Sequence, residues 1–286
     1  MQLASAELLR SISSGIRYSL EDHPFSTVYV DVTHRCNMEC RNCYLPNRDL
    51  PDLDMRWLDG ALKRMHKRVE VRLIGGEPTV RTDLLDIIRK VRSAGHRPML
   101  VSNGLKLASP GYLRQLKQAG LRSVYISMNG GLDDDLYQAI DDMRCANRKR
   151  LAFEMACAER FTVSIGYIIV PGVNVSHLRE FAQYLKPFPG VRGLKLRSIG
   201  QVGRYMEGTA LSLDDLRQIA ADATGTPLAN IPVQDETESE TSFLWGTLRV
   251  QMTRWPDIGN HTRGRLTPEG FVEPMSEHVM SNEGGY

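Results

Sequence analysis

Apolar residues recur along this chain with two different periods. Six short runs are rich in Val, Ile or Tyr: TVYVDVT (27–33), VEVRLIGG (69–76), RPMLVSNG (97–104), RSVYISMNG (122–130), FTVSIGYIIV (161–170) and VRGLKLRSIG (191–200). Several end in Gly, Asn or Ser, as β-strands do. Between the runs the period lengthens to that of a helix. Leu58, Ala61, Leu62, Met65 and Val69 share one helical face, and Leu84, Ile88 and Val91 share another. Ser109 followed by Pro110 marks a helix start, and Gly120 marks its stop. Ser176 precedes a face of Leu178, Phe181, Ala182 and Leu185, while Ser212 and Asp215 have the spacing of a capping box.

Strands alternating with helices predict a parallel sheet with right-handed crossovers. The units number six, fewer than a closed barrel needs, so the expected class is α/β, a partial (β/α)6 TIM-like barrel over residues 25–225. Its site should lie in the loops at the C-terminal strand ends. Ahead of it, MQLASAELLRSISSGIRYSL is amphipathic and predicts an N-terminal helix within residues 1–24. Behind it, VQDETESETS reads as an acidic linker, and SFLWGTLRVQM and RGRLTPEGFVEPM as two strands, the second with a Pro-Glu-Gly turn. Residues 226–286 are therefore expected to form a C-terminal β-hairpin cap on the substrate side.

Composition narrows the class further. With 286 residues, 42% hydrophobic and a net charge of +2, the chain can build a large core and carries no strong field toward nucleic acid or membrane. No apolar run reaches the ~18 residues of a membrane span. The start lacks the basic and apolar regions of a signal peptide, so a cytoplasmic protein is expected.

The chain has five cysteines, and three of them fall in CNMECRNC: Cys36, Cys40 and Cys43. They follow the first predicted strand directly, which puts them on the first strand-to-helix loop. Three thiolates can hold three irons of a [4Fe–4S] cube and leave the fourth iron to another ligand. A zinc site with His34 as fourth ligand is the alternative, and three unligated core cysteines are a second.

The CxxxCxxC spacing after a first strand resembles the radical S-adenosylmethionine (SAM) superfamily, and further segments resemble it in the same order over roughly residues 25–200. GGEPTVR (75–81) is similar to the family's GGEP motif, VSNG (101–104) to its TNG motif, and SMNG (127–130) to its fourth-strand motif, with Asn129 where Asp is frequent. IGYIIVPGVN (165–174) is similar to the segment lying along the adenine, and LKLRSIGQVGRY (194–205) ends the sixth strand with Arg197. The core resembles the MoaA/NifB-like kind. The resemblance implies Cys36, Cys40 and Cys43 as catalytic cluster ligands. It implies SAM contacts at Tyr44, Gly75, Gly76, Glu77, Pro78, Ser102, Asn103, Ser127, Asn129, Ile169 and Arg197. The glycines would let backbone approach the ligand, and Glu77 would receive the SAM amino group. The implied chemistry is reductive cleavage of SAM at a [4Fe–4S] cluster. The resulting 5′-deoxyadenosyl radical then takes a substrate hydrogen, with a flavodoxin- or ferredoxin-type electron donor.

The other two cysteines, Cys145 and Cys157, have no ligand spacing, and the tail has no cysteine, so one cluster is expected. Both read as core packing. Arg144, Arg148, Lys149 and Arg150 read as a solvated helix face. In the tail, Arg254, Trp255, His261 and Arg263 combine guanidinium forks with a stacking ring, either an ordinary basic hairpin or a lid over an anionic substrate. The expected substrate is a nucleotide or modified nucleobase, nucleic acid included. Epimerisation, dehydration or rearrangement of a sugar or small metabolite is the alternative, ahead of peptide modification or a zinc-binding module.

Overall fold

The computed structural model describes residues 16–41, 43, 45, 47–199, 210–233, 239–254 and 262–274. Within them the strands are β1 (Tyr18–Ser19), β2 (Thr27–Thr33), β3 (Glu70–Gly75), β4 (Arg97–Ser102), β5 (Ser123–Ser127), β6 (Thr162–Ile169), β7 (Val191–Ser198), β8 (Glu240–Trp245), β9 (Leu248–Thr253), β10 (Arg263–Leu266) and β11 (Phe271–Pro274). The helices are α1 (Met55–Arg64), α2 (Leu84–Ser93), α3 (Pro110–Gln118), α4 (Asp134–Asp141), α5 (Ala146–Ala158), α6 (Leu178–Leu185) and α7 (Leu213–Thr224). Each of the six apolar runs thus becomes one strand, β2 to β7.

Local chemistry sets the helix ends. The Asp54 side chain accepts from the Trp57 amide at the start of α1. Ser212 and Asp215 form a reciprocal capping box at α7, and Gly225 closes that helix in the left-handed region. Strands β2 to β7 pair in parallel, each with the next. Their alternate residues Val28, Val30, Val71, Leu73, Val124, Ile126, Val163 and Ile165 bury against the helices. The intervening residues therefore line the opposite face of the sheet.

The two ends of the chain differ from expectation. Residues 1–15 lie outside the described residues, and the run predicted as helix ends instead in β1, which pairs with β11. Tyr18 packs edge-on against Phe25 at 5.4 Å, a contact that helical periodicity does not encode. The tail is not one hairpin laid over the barrel as a cap. SFLWGTLRVQM, read as one strand, turns at Gly246-Thr247 into the β8–β9 hairpin, and β10–β11 form a second. These hairpins extend the sheet at opposite edges, β9 parallel to β7 and β10 parallel to β2. Strands β2 and β7 would otherwise present unpaired N–H and C=O groups, and the hairpins satisfy them.

All eleven strands form one open sheet in the order β1-β11-β10-β2-β3-β4-β5-β6-β7-β9-β8. Twist curls it far enough for Arg263 on β10 to ion-pair with Glu240 on β8, although seven strands separate them in that order.

Candidate functional site

The loop after β2 carries Cys36, Cys40 and Cys43, all partly buried and none in a disulfide. Its base is strapped to the end of β3. Gly76 N–H donates to the Thr33 carbonyl at 2.8 Å and Glu77 N–H to that of Arg35 at 2.9 Å. This closeness is what demands the glycine pair. A Cβ on Gly75 would stand 2.0 Å from Thr33 O, and one on Gly76 2.3 Å from Arg35 O. The sequence reading assigned the glycines to close approach of a ligand. In the structure, the group they admit is the chain's own cysteine loop.

Asp52 braces the same loop, accepting from Thr33 Oγ1 at 2.5 Å and from Arg35 Nε at 3.1 Å. The buried Met38 packs with Leu105, Tyr137, Cys145 and Ala146, and Cys36 and Cys40 rest on that cluster. Burial pushes the Cys36 thiol up, and the Glu77 charge adds to this. Burial, then Asp141, pushes Cys40 up further. Such a pocket disfavours free thiolates and suits thiols whose protons are displaced by bound iron. His34, the candidate fourth ligand for zinc, is also buried, and the charges bearing on it are Asp31, Arg265 and Asp52 rather than the cysteines. Among the described residues no three His, Cys, Asp or Glu side chains converge as on a single metal ion.

Glu77 is fully buried. Its Oε1 accepts from Thr79 N–H (3.0 Å), Thr79 Oγ1 (2.6 Å) and Ser102 Oγ (2.9 Å), and its Oε2 from Asn103 N–H (2.6 Å). It therefore locks the end of β3 to the end of β4. Burial still holds its carboxyl above the usual range, against those hydrogen bonds. The groups that favour its charge are donors, not cations, and Oε2 keeps one acceptor direction. An ammonium group suits a carboxylate whose partners are neutral donors. Ser102 is buried and committed to Glu77, while Pro78 opens the turn that follows Glu77. Asn103 reaches into the cysteine loop, donating to Asn37 Oδ1 at 2.7 Å, with Cys36 Sγ at 3.9 Å.

At the ends of β5 and β6 the expected contacts divide. Ser127 is half-buried on the inner face. Asn129 is buried and occupied: its Nδ2 donates to Asp141 Oδ1 at 3.0 Å, and its Oδ1 accepts from Ile168 N–H at 3.1 Å. Asn174 completes the tie, donating to the carbonyls of Asn129 (3.0 Å) and Ile168 (2.7 Å). Ile169 points into the helical core, so its neighbour Ile168 occupies the inner face in its place. The period of two in a strand decides this. Tyr44, Trp255 and His261 lie outside the described residues. Arg254 follows β9, its N–H bonded to Ser239 O at 2.9 Å.

Sequence reasoning missed a buried pair. Lys149, assigned to a solvated face, is 1% exposed, donating to Ser127 O at 2.9 Å and facing Asp141 Oδ2 at 3.4 Å. It also sits over the Tyr137 ring at 4.8 Å. The signal was present: Ala152, Phe153 and Ala156 follow Lys149 at helical spacing and are buried. Arg144, Arg148 and Arg150 bond to Asp135, Leu105 O and Glu154.

The inner face is rich in arginine. Arg72 donates to Tyr29 OH at 2.7 Å and to Glu70 at 2.8 Å. Arg265 binds Asp31 Oδ2 at 2.7 Å through Nε. Tyr125, whose hydroxyl burial pushes up, lies within reach of the charges of Arg197, Tyr29, Arg72 and Arg263, which come from four other strands.

The sequence profile of the Radical SAM superfamily matches residues 30–185. A 7,8-dihydro-6-hydroxymethylpterin dimethyltransferase of Methanocaldococcus jannaschii is 28% identical over 209 residues, covering 66% of this chain and 40% of that protein. The chain thus spans less than half the length of that relative. A GTP 3',8-cyclase of Listeria welshimeri is 26% identical over 267 residues, covering 86% of this chain and 78% of the cyclase. Streptococcus suis SuiB bound to S-adenosylmethionine has the same fold, with a TM-score of 0.66 at 14% identity over 91% of this chain and 63% of SuiB.

Proposed function

The chain belongs to the radical SAM superfamily, whose members use a [4Fe–4S] cluster and SAM, and we propose that it is an enzyme acting on an anionic nucleotide held inside the partial barrel. Cys36, Cys40 and Cys43 would hold the cluster. Glu77 would receive the SAM ammonium, with Asn103, Ser127 and Arg197 around the remaining polar groups. When bound, the cluster supplies the electron that cleaves SAM to methionine and the hydrogen-abstracting 5′-deoxyadenosyl radical. The protein's part is to align SAM and substrate and to keep water out.

The single observation carrying the substrate class is the gathering of Arg72, Arg197 and Arg263 around Tyr125, with Arg265 on the same face. Guanidinium forks match phosphate oxygens, and Glu70, Glu240 and Asp31 hold Arg72, Arg263 and Arg265 in place on that face. The relatives named for GTP and for a pterin support a purine-like substrate and a rearrangement or related modification. A flavodoxin- or ferredoxin-type protein would supply the electron.

The test is anaerobic reconstitution with iron and sulfide, then dithionite, SAM and a panel of nucleotides. The expected result is 5′-deoxyadenosine, increased by one nucleotide and absent in Cys36→Ala. Arg263→Ala should weaken that nucleotide's binding roughly 10- to 100-fold while leaving SAM binding in place, the loss of a charge-assisted hydrogen bond worth ~1.5–3 kcal/mol. Deoxyadenosine formation with no nucleotide bound at low salt would sink the substrate class and leave the SAM chemistry standing.

A further inference from the structure

Beside the cysteines lies an arginine with no part in the argument so far. Arg48 follows Cys43 by five residues and folds back under the loop, with its side chain 12% exposed. Its Nη1 donates to the carbonyl of Met38 and, at 3.2 Å, to Glu39 Oε1. Its Nε–H is buried and has no partner. The thiol groups of Cys43 and Cys36 lie close enough for their charge to bear on it, as does the Glu39 carboxylate.

A buried donor on a cation is costly to leave unpaired. The missing acceptor must be negative and must lie against Cys36 and Cys43. Among the described residues, no oxygen or nitrogen accepts from that Nε–H. The sulphur atoms of a [4Fe–4S] cluster bound there would.

We propose that Arg48 hydrogen-bonds the sulphur of the bound cluster and raises its reduction potential. This rests on the reading that Cys36, Cys40 and Cys43 hold that cluster. Reduction by dithionite or a flavodoxin-type donor adds one electron and makes or breaks no covalent bond. The added negative charge is stabilised by a fixed cation in a poorly solvated pocket. Hydrogen bonds to the sulphurs act in the same direction. Arg48 would touch the cluster directly in this account, and neither SAM nor substrate.

The experiment is an EPR-monitored redox titration of reconstituted wild type, Arg48→Met and Arg48→Lys, with iron counted per chain. The expected result is equal iron and a midpoint for Arg48→Met lower by about 59 mV, a tenfold change in the one-electron equilibrium. Arg48→Lys should fall between the two, keeping the charge without the Nε donor. A purely structural arginine predicts the opposite sign: a loosened loop would admit water, stabilise the more charged reduced state and raise the midpoint. An unchanged or raised midpoint in Arg48→Met therefore overturns the proposal. If Arg48→Met takes up no iron, Arg48→Lys decides: a lowered midpoint supports the role and an equal or higher one refutes it. If neither variant loads, Arg48 serves folding alone and the proposal fails. If wild type itself takes up no iron, the fault lies in the reading of the cysteines.

Discussion

Individual side chains at this site do two jobs, and geometry separates them. Glu77 fastens β3 to β4, and in the proposed role its carboxylate also receives the SAM ammonium. In Glu77→Gln the new amide would direct N–H groups at existing donors. The fold should lose about 1–3 kcal/mol for the broken hydrogen bonds. SAM affinity of the reconstituted protein should fall at least about tenfold, since the ammonium loses its charged partner. Urea denaturation and calorimetric titration would check the two halves; intact SAM binding would remove Glu77 from the ligand site. Gly76 offers a cleaner case. A methyl there meets the backbone of His34 and Arg35, which has no flexible end to swing away. Gly76→Ala should therefore displace the cysteine loop, lowering iron per chain and costing about 1–3 kcal/mol, as overpacking does. Full iron loading in that variant would show that the loop is not positioned by β3.

At the scale of elements, the Lys149–Asp141 pair joins α5 and the end of α4 to the end of β5. Both groups are almost fully buried, so breaking the pair leaves an uncompensated charge. Lys149→Ala should cost about 3–5 kcal/mol, and Lys149→Met combined with Asp141→Leu should recover part of that. The recovery will be incomplete, because Asn129 also loses its acceptor on Asp141. A chemical-denaturation double-mutant cycle measures the coupling; additive losses would mean that the pair does not act as a unit. Between β1 and β2, His23 is buried and stacked on Phe25, and neither ring nitrogen has a partner. Burial, then Lys67 and His96, lowers its pKa below the ordinary value near 6.5. The unfolded chain therefore binds the proton more tightly than the folded one. The stability His23 contributes is present above pH 6.5 and is lost as pH falls through the window below it. His23→Phe should flatten the fall in unfolding free energy just below pH 6.5. An unchanged slope in that variant would assign the acid sensitivity to other groups.

For the whole molecule, the boundary expected near residue 225 does not interrupt the sheet. Strands β9 and β10 complete the pairing of β7 and β2, and Arg263 and Glu240 join strands from opposite sides of the curled sheet. Removing residues 226–286 should uncover two long strand edges and leave a chain that aggregates instead of a smaller barrel. Light scattering and sedimentation of the truncated chain would decide, and a folded monomer would make the tail a separable unit. The same wrapping brings the charges of arginines on β3, β7 and β10 to bear on Tyr125. Among the described residues, no helix is long and apolar enough to cross a membrane.

Much was decided within a few residues of chain. The period of two in TVYVDVT, the Ser212–Asp215 box and the cysteine spacing rest on neighbours in sequence, so the barrel strands, α7 and the cysteine loop could be read directly. The remainder depended on partners far along the chain. Arg265 and Asp31 meet across 234 residues, β1 finds β11, and Gly76 admits the loop of Arg35. Local pattern carries no record of which edge a hairpin will join, because edge pairing is set by the backbone groups that the rest of the sheet leaves unpaired. Nor does composition reveal that Lys149 is buried while Arg150 is not. That difference is set by which helix face meets the sheet and by a carboxylate brought from another helix to balance the charge.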